Sequence, residues 1–117
     1  ERAIKHQDET TSDLCSKAFQ DLKACQGLNG DTPIDLTQIQ LLAVVTQNPD
    51  MKMPHTAAIM HQKLGLSRHC MTFDINQACA GYAHALTIFS ALMASSSWIL
   101  VCTAGNSLAN PCARDAR

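Results

Sequence analysis

Residues 73–82 read Phe73-Asp74-Ile75-Asn76-Gln77-Ala78-Cys79-Ala80-Gly81-Tyr82. A short β-rich run, 71–75, stops at Asn76-Gln77, and an apolar stretch with helical spacing opens near Gly81. A strand exit, a sharp turn and a helix start therefore follow one another directly. At the turn a cysteine stands between two alanines with a glycine next, so the backbone can bend tightly and another molecule can approach it closely. The helix start brings unpaired N–H groups and the positive end of the helix dipole to the thiol, which favours a thiolate. On this local pattern two readings of Cys79 stay open: a nucleophile, or a small buried hydrophobe of the kind most unpaired cysteines are.

Upstream, 39–45 is apolar on both alternating faces except at Gln40, the pattern of a strand covered on two sides and typical of a parallel sheet. Asn48-Pro49-Asp50 interrupts it, and Pro54 introduces a helix over 56–64 closed by Gly65. Nearer the start, Thr11 or Ser12 is expected to cap a helix whose apolar residues Leu14, Ala18, Leu22 and Cys25 share a face. Gly27 and Asn29-Gly30 are its expected stop. Downstream of Cys79, Tyr82, Leu86, Phe89 and Met93 line one helix face, and the opposite face is also largely apolar, so this helix is expected to be buried all round. A third strand follows at 98–102, and Gly105-Asn106 opens a polar, turn-rich end. The order α-β-α-β-α-β predicts an α/β layered domain with mainly parallel strands, whose site lies beyond their carboxyl ends.

The 117 residues are 46% hydrophobic and 16% charged, an ordinary globular balance. Nine basic against ten acidic residues give a net charge of -1, and no two Lys or Arg are adjacent, so neither nucleic acid nor an anionic membrane is an expected partner. The apolar stretch 78–101 is broken by Tyr82, His84, Thr87 and Ser95-Ser96-Ser97 and does not read as a membrane span. No secretory signal is visible, which points to a cytoplasmic location, and Glu1-Arg2-Ala3 reads as the interior of something longer.

Six cysteines lie scattered, mostly in apolar periodic segments, which favours a reduced protein over a disulfide framework. No Cys-x-x-Cys or His-x-x-x-His pair offers a metal site. The glycines at 27, 30, 65, 81 and 105 form no phosphate-cradling motif, so no nucleotide cofactor is expected. His84, five residues past Cys79, falls roughly 140° round the helix and cannot serve as its base. Surface or capping roles suit His55, His61 and His69, and His6 reads as solvated. Asp35 and Asp74 are not a carboxylate pair; Asp74 reads equally as a strand-end residue bonded to backbone.

The segment 73–82 resembles the nucleophile region of β-ketoacyl-(acyl carrier protein) synthase III enzymes. So, in order, do Arg2-Ala3-Ile4, Glu9-Thr10-Thr11-Ser12-Asp13-Leu14, Val44-Val45-Thr46-Gln47, Pro54-His55-Thr56-Ala57-Ala58 and Leu64-Gly65 resemble other landmarks of that family. The resemblance implies a thiolase-like duplicated fold, of which residues 1–117 are part of the N-terminal half without its opening strand, the C-terminal half lying beyond Arg117. It implies that Cys79 takes an acyl group from acyl-CoA, that its own N–H helps hold the thioester oxyanion, and that the acyl-enzyme condenses with malonyl-(acyl carrier protein) after decarboxylation. A His and an Asn from the missing half would support that second step. No metal or redox cofactor is implied, and a homodimer is. Met53 matches a position at the acyl pocket across the dimer interface, although an ordinary loop role suits it as well. Two alternatives are another thiolase-fold enzyme, such as a hydroxymethylglutaryl-CoA synthase, and a non-catalytic scaffold subunit.

Overall fold

The computed structural model describes residues 8–29, 33–92, 98–104 and 109–110, with side chains over 8–25 and 33–92. The expectations for His6, Arg2-Ala3-Ile4, Gly30, Met93, Ser95-Ser96-Ser97, Gly105-Asn106 and Cys112, and for the Cys102 side chain, fall outside them.

The strand Ile39–Thr46 (β1) is the centre of the structure. Strand Met71–Ile75 (β2) pairs parallel to it on one side and strand Trp98–Ala104 (β3) on the other, with the short Ala109–Asn110 (β4) antiparallel to β3. The sheet order is thus β2-β1-β3-β4. β3 runs two residues further than the expected 98–102.

Helix Thr56–Leu64 (α2) connects β1 to β2, and helix Gly81–Leu92 (α3) carries the chain from β2 back past β1 to β3. Because the direction of travel across the sheet reverses at β2, crossovers of the same hand put α2 and α3 on opposite faces. The packing follows suit. Leu42 and Val44 of β1 join Cys15, Phe19, Ala57, Met60, Leu64 and Leu66 in one buried cluster, whereas Leu41, Ala43 and Val45 join Ile75, Ala85 and Phe89 in another.

Strand alternation explains this division from 41 onward. It fails at Ile39, which lies in the same cluster as Leu42. The pairing register with β3 shifts between Ile39 and Leu41. The irregularity at Gln40 moves Ile39 to the face that strict period-two alternation denies it.

Helix Thr11–Asn29 (α1) packs beside α2 on the first face. Its cap is Thr10, one residue before the expected Thr11 or Ser12. Asp13 N–H donates to Thr10 Oγ1 at 3.2 Å while Thr10 N–H donates to Asp13 Oδ2 at 3.1 Å, so each satisfies the other's backbone. Thr11 and Ser12 are buried instead, Thr11 Oγ1 donating to Asn48 O at 2.7 Å. The buried stripe is Leu14, Cys15, Ala18 and Phe19, and Cys25 is exposed. α1 also continues through Gly27 to Asn29, since one helical glycine costs only about 1 kcal/mol. Gly65 closes α2 in the left-handed conformation, φ 64°, as the sequence predicts.

α3 departs most from expectation. Gly81, Ala85 and Phe89 are buried against β1, but Tyr82 and Leu86 of the predicted apolar face are 51% and 44% exposed, and Ile88 and Leu92 are exposed too. In this chain α3 is covered on one side, not all round. Its polar residues turn inward on their own helix: Thr87 and Ser90 hydroxyls donate to the carbonyls of Ala83 and Leu86.

Candidate active site

β1 and β2 are adjacent and parallel, with Val45 opposite Ile75, so the segments leaving them emerge at the same edge of the sheet. From β2 the chain passes through Asn76 and Gln77 into a single tight turn, Ala78–Ala80, and then into α3. Cys79 is the middle residue of that turn and is solvent-exposed. The buried-hydrophobe reading of Cys79 therefore does not describe this chain. Cys15 and Cys70 are buried, and burial pushes the Cys70 thiol up from its usual range.

Two backbone features hold the turn. Ala78 has φ 44°, the left-handed region that disfavours a side-chain-bearing residue and commonly marks a functional constraint. Gly81 begins α3 directly on the end of β1: a Cβ there would lie 2.2 Å from Val45 Cγ1, far inside van der Waals contact. Glycine thus lets the helix start sit against the strand, which fixes where Cys79 stands. Nothing in the sequence signals the left-handed Ala78, since alanine is not a residue chosen for that conformation.

Of the histidines read as surface or capping residues, His69 is exposed, whereas His55 and His61 are half-buried and bonded within the fold. His84 Nδ1 pairs with Ala80 O at 2.9 Å, joining the first turn of α3 to the end of the Ala78–Ala80 turn. His55 Nε2 pairs with Thr72 Oγ1 at 3.1 Å and His61 Nε2 with Ser67 O at 2.8 Å. His69 N–H donates to Ser67 Oγ at 3.3 Å.

Asp74 is a strand-end residue bonded to backbone. Its Oδ2 accepts from Thr56 N–H at 2.8 Å and its Oδ1 from Ala57 N–H at 2.7 Å, so a carboxylate on β2 caps α2. His55, at the cap position itself, makes no side-chain cap. The loop 47–55, which carries Met53, is tied down on both sides. Asp50 N–H donates to Thr56 Oγ1 at 3.2 Å, and Asp50 Oδ1 accepts from Ser12 N–H at 3.1 Å. Met53 is 86% exposed on this loop.

Beyond the loop, Lys63 donates to Ser12 Oγ at 2.7 Å and to Asp13 Oδ1 at 2.6 Å. The Lys63 ammonium, with Thr10 hydroxyl and backbone donors, holds the Asp13 carboxyl well below the usual carboxylate range. Sequence reasoning missed Asp50 and Lys63 as anchors, because their partners are far away in the chain. The Thr10-x-x-Asp13 spacing could have revealed the cap.

No protein-family model matches the chain. The β-ketoacyl-(acyl-carrier-protein) synthase III of Neisseria meningitidis serogroup A is 40% identical to it over 94 residues, covering 80% of this chain and 28% of that protein. The Neisseria gonorrhoeae protein of the same name is 38% identical over the same share. A crystal structure of a 3-oxoacyl-(acyl-carrier-protein) synthase III superimposes with a TM-score of 0.76 at 29% identity, over 90% of this chain and 30% of that one. OleA of Xanthomonas campestris gives a TM-score of 0.66 at 30% identity over 78% of this chain and 26% of its own. The fold is thiolase-like, and the chain spans about 28% of the length of the curated relatives it matches.

Proposed function

The chain is homologous to a segment of β-ketoacyl-(acyl-carrier-protein) synthase III, and on that premise we propose that it is part of the first half of a ketoacyl synthase III-type acyltransferase in fatty-acid or related biosynthesis. Cys79 is its acyl-accepting nucleophile. The observation that carries this reading is the placement of Cys79: exposed, at a strained turn beyond the carboxyl end of β2, in a chain that matches these synthases along most of its length.

In the proposed reaction the Cys79 thiolate attacks the thioester carbonyl of an acyl-CoA, coenzyme A leaves as its thiol, and the acyl group is held as a thioester on Sγ. The Cys79 backbone N–H, at the start of α3, is one donor to the oxyanion. Malonyl-(acyl carrier protein) then loses carbon dioxide, and its carbanion attacks the acyl carbonyl and releases Cys79. A His and an Asn supplied by the remaining sequence support this step, which needs no metal or redox cofactor. In a homodimer, Met53 lies at the acyl pocket of the partner subunit.

Incubating the full-length protein with acetyl-CoA and malonyl-(acyl carrier protein) tests this directly. Acetoacetyl-(acyl carrier protein) with release of carbon dioxide is the expected product. Formation of hydroxymethylglutaryl-CoA from acetyl-CoA and acetoacetyl-CoA, with no condensation on the carrier protein, would assign the chain to a different thiolase-fold enzyme.

A further inference from the structure

We propose that Asp74 is a positioning residue for acyl-chain selection, clamping the loop that bears Met53 to the strand that leads into the Cys79 turn. This rests on the acyltransferase reading above and extends it to a residue outside the reacting atoms. A helix capped by its own preceding side chain is stabilised without being fixed to anything else. α2 is capped differently: His55 contributes no cap, and both backbone bonds come from Asp74 on β2, five positions before the nucleophile. Fixing the start of α2 therefore also fixes it relative to β2.

The clamp extends further. Thr56, fully buried, donates its backbone N–H to Asp74 and accepts Asp50 N–H at its hydroxyl, and the Asp50 carboxylate in turn accepts from Ser12 N–H at the start of α1. The 47–55 loop is thus held from β2 at one end and from α1 in its middle. Met53 is 86% exposed, so among the described residues its position is set by the loop backbone. Loosening Asp74 removes this backbone clamp and leaves the His55–Thr72 bond to hold that end of the loop on β2, with the Ala78–Ala80 turn and the Gly81–Val45 contact in place.

The test uses full-length wild type and Asp74→Asn, which keeps the side-chain shape but turns an amide group toward one of two N–H donors. Hydrogen exchange at Thr56, Ala57 and the 50–53 backbone should quicken by roughly tenfold or more. The ratio of Cys79 acylation rates with acetyl-CoA and octanoyl-CoA should shift by about threefold or more, with iodoacetamide alkylation of Cys79 staying within about twofold. Thr56→Val, which removes the bond to Asp50 without touching Asp74, should shift the ratio in the same direction and keeps the test decisive if Asp74→Asn does not fold. An unchanged ratio despite faster exchange would overturn the proposal, as would alkylation and both acylations falling together. Absence of any adduct on wild-type Cys79 would instead contradict the acyltransferase reading and take the selectivity role with it.

Discussion

At the residue scale, the turn around Cys79 depends on two neighbours with opposite needs. Ala78 tolerates a left-handed backbone at a cost of roughly 1–2 kcal/mol for a residue with a Cβ. Ala78→Gly should therefore raise chain stability, by about 0.5–1 kcal/mol after the entropy of the freer unfolded glycine is counted, measured by urea unfolding. Gly81→Ala should do the reverse. The added methyl meets Val45 Cγ1 at 2.2 Å, and pushing the helix start off the strand should cost about 1–3 kcal/mol and slow Cys79 alkylation. Val45→Ala combined with Gly81→Ala should recover much of both losses; no recovery would place the strain elsewhere.

At the element scale, the start of α1 carries the titration expected to show in stability. Asp13 is held below its ordinary value of 3.8 by the Lys63 ammonium and Thr10, so the folded chain binds its proton less readily than the unfolded chain. Its contribution is full above that ordinary value and is lost as the pH falls through the lower folded value. Both side chains are more than a third exposed, so the pair is worth about 1 kcal/mol or less. Comparing wild type with Asp13→Asn by urea unfolding should show a gap at neutral pH that closes as the solution is acidified below 3.8. A gap that widens in acid would contradict the assignment.

The elements themselves were largely legible. Apolar character on both faces, broken only at Gln40, marked β1 as a strand covered on two sides, and Gly65 marked the end of α2, because burial on two faces and a left-handed cap each leave a local signature. The ends of α1 were less so: Thr10, Thr11 and Ser12 are all able caps, but the Thr11 hydroxyl donates to Asn48 O and the Ser12 hydroxyl accepts from Lys63, and Thr10 makes the cap. The Gln40 irregularity was invisible, since it arises from pairing with β3. Of the candidate site, the sequence marked the turn and the cysteine, and offered Asp74 as a backbone-bonded strand end. It did not reveal that the Asp74 bonds run to α2, a link between segments distant in the chain.

At the scale of the whole molecule, α3 carries the sequence's signature of an interior helix but is covered on one side in this chain. Tyr82, Leu86, Ile88 and Leu92 are exposed, and the hydroxyls beside them are spent on α3's own carbonyls. An apolar surface of this kind favours association in water. The 117-residue chain expressed alone should self-associate in light scattering, and Leu86→Glu with Leu92→Glu should raise its monomer fraction. A wild-type chain that stays monomeric at high concentration would show that this face needs no cover.

The whole reading turns on whether Cys79 accepts an acyl group. Intact-mass measurement of the full-length protein after exposure to acetyl-CoA, beside Cys79→Ala, tests it most directly. One acetyl adduct on wild type, absent from Cys79→Ala, is the expected result; an adduct of equal occupancy on Cys79→Ala, or none on wild type, would contradict it.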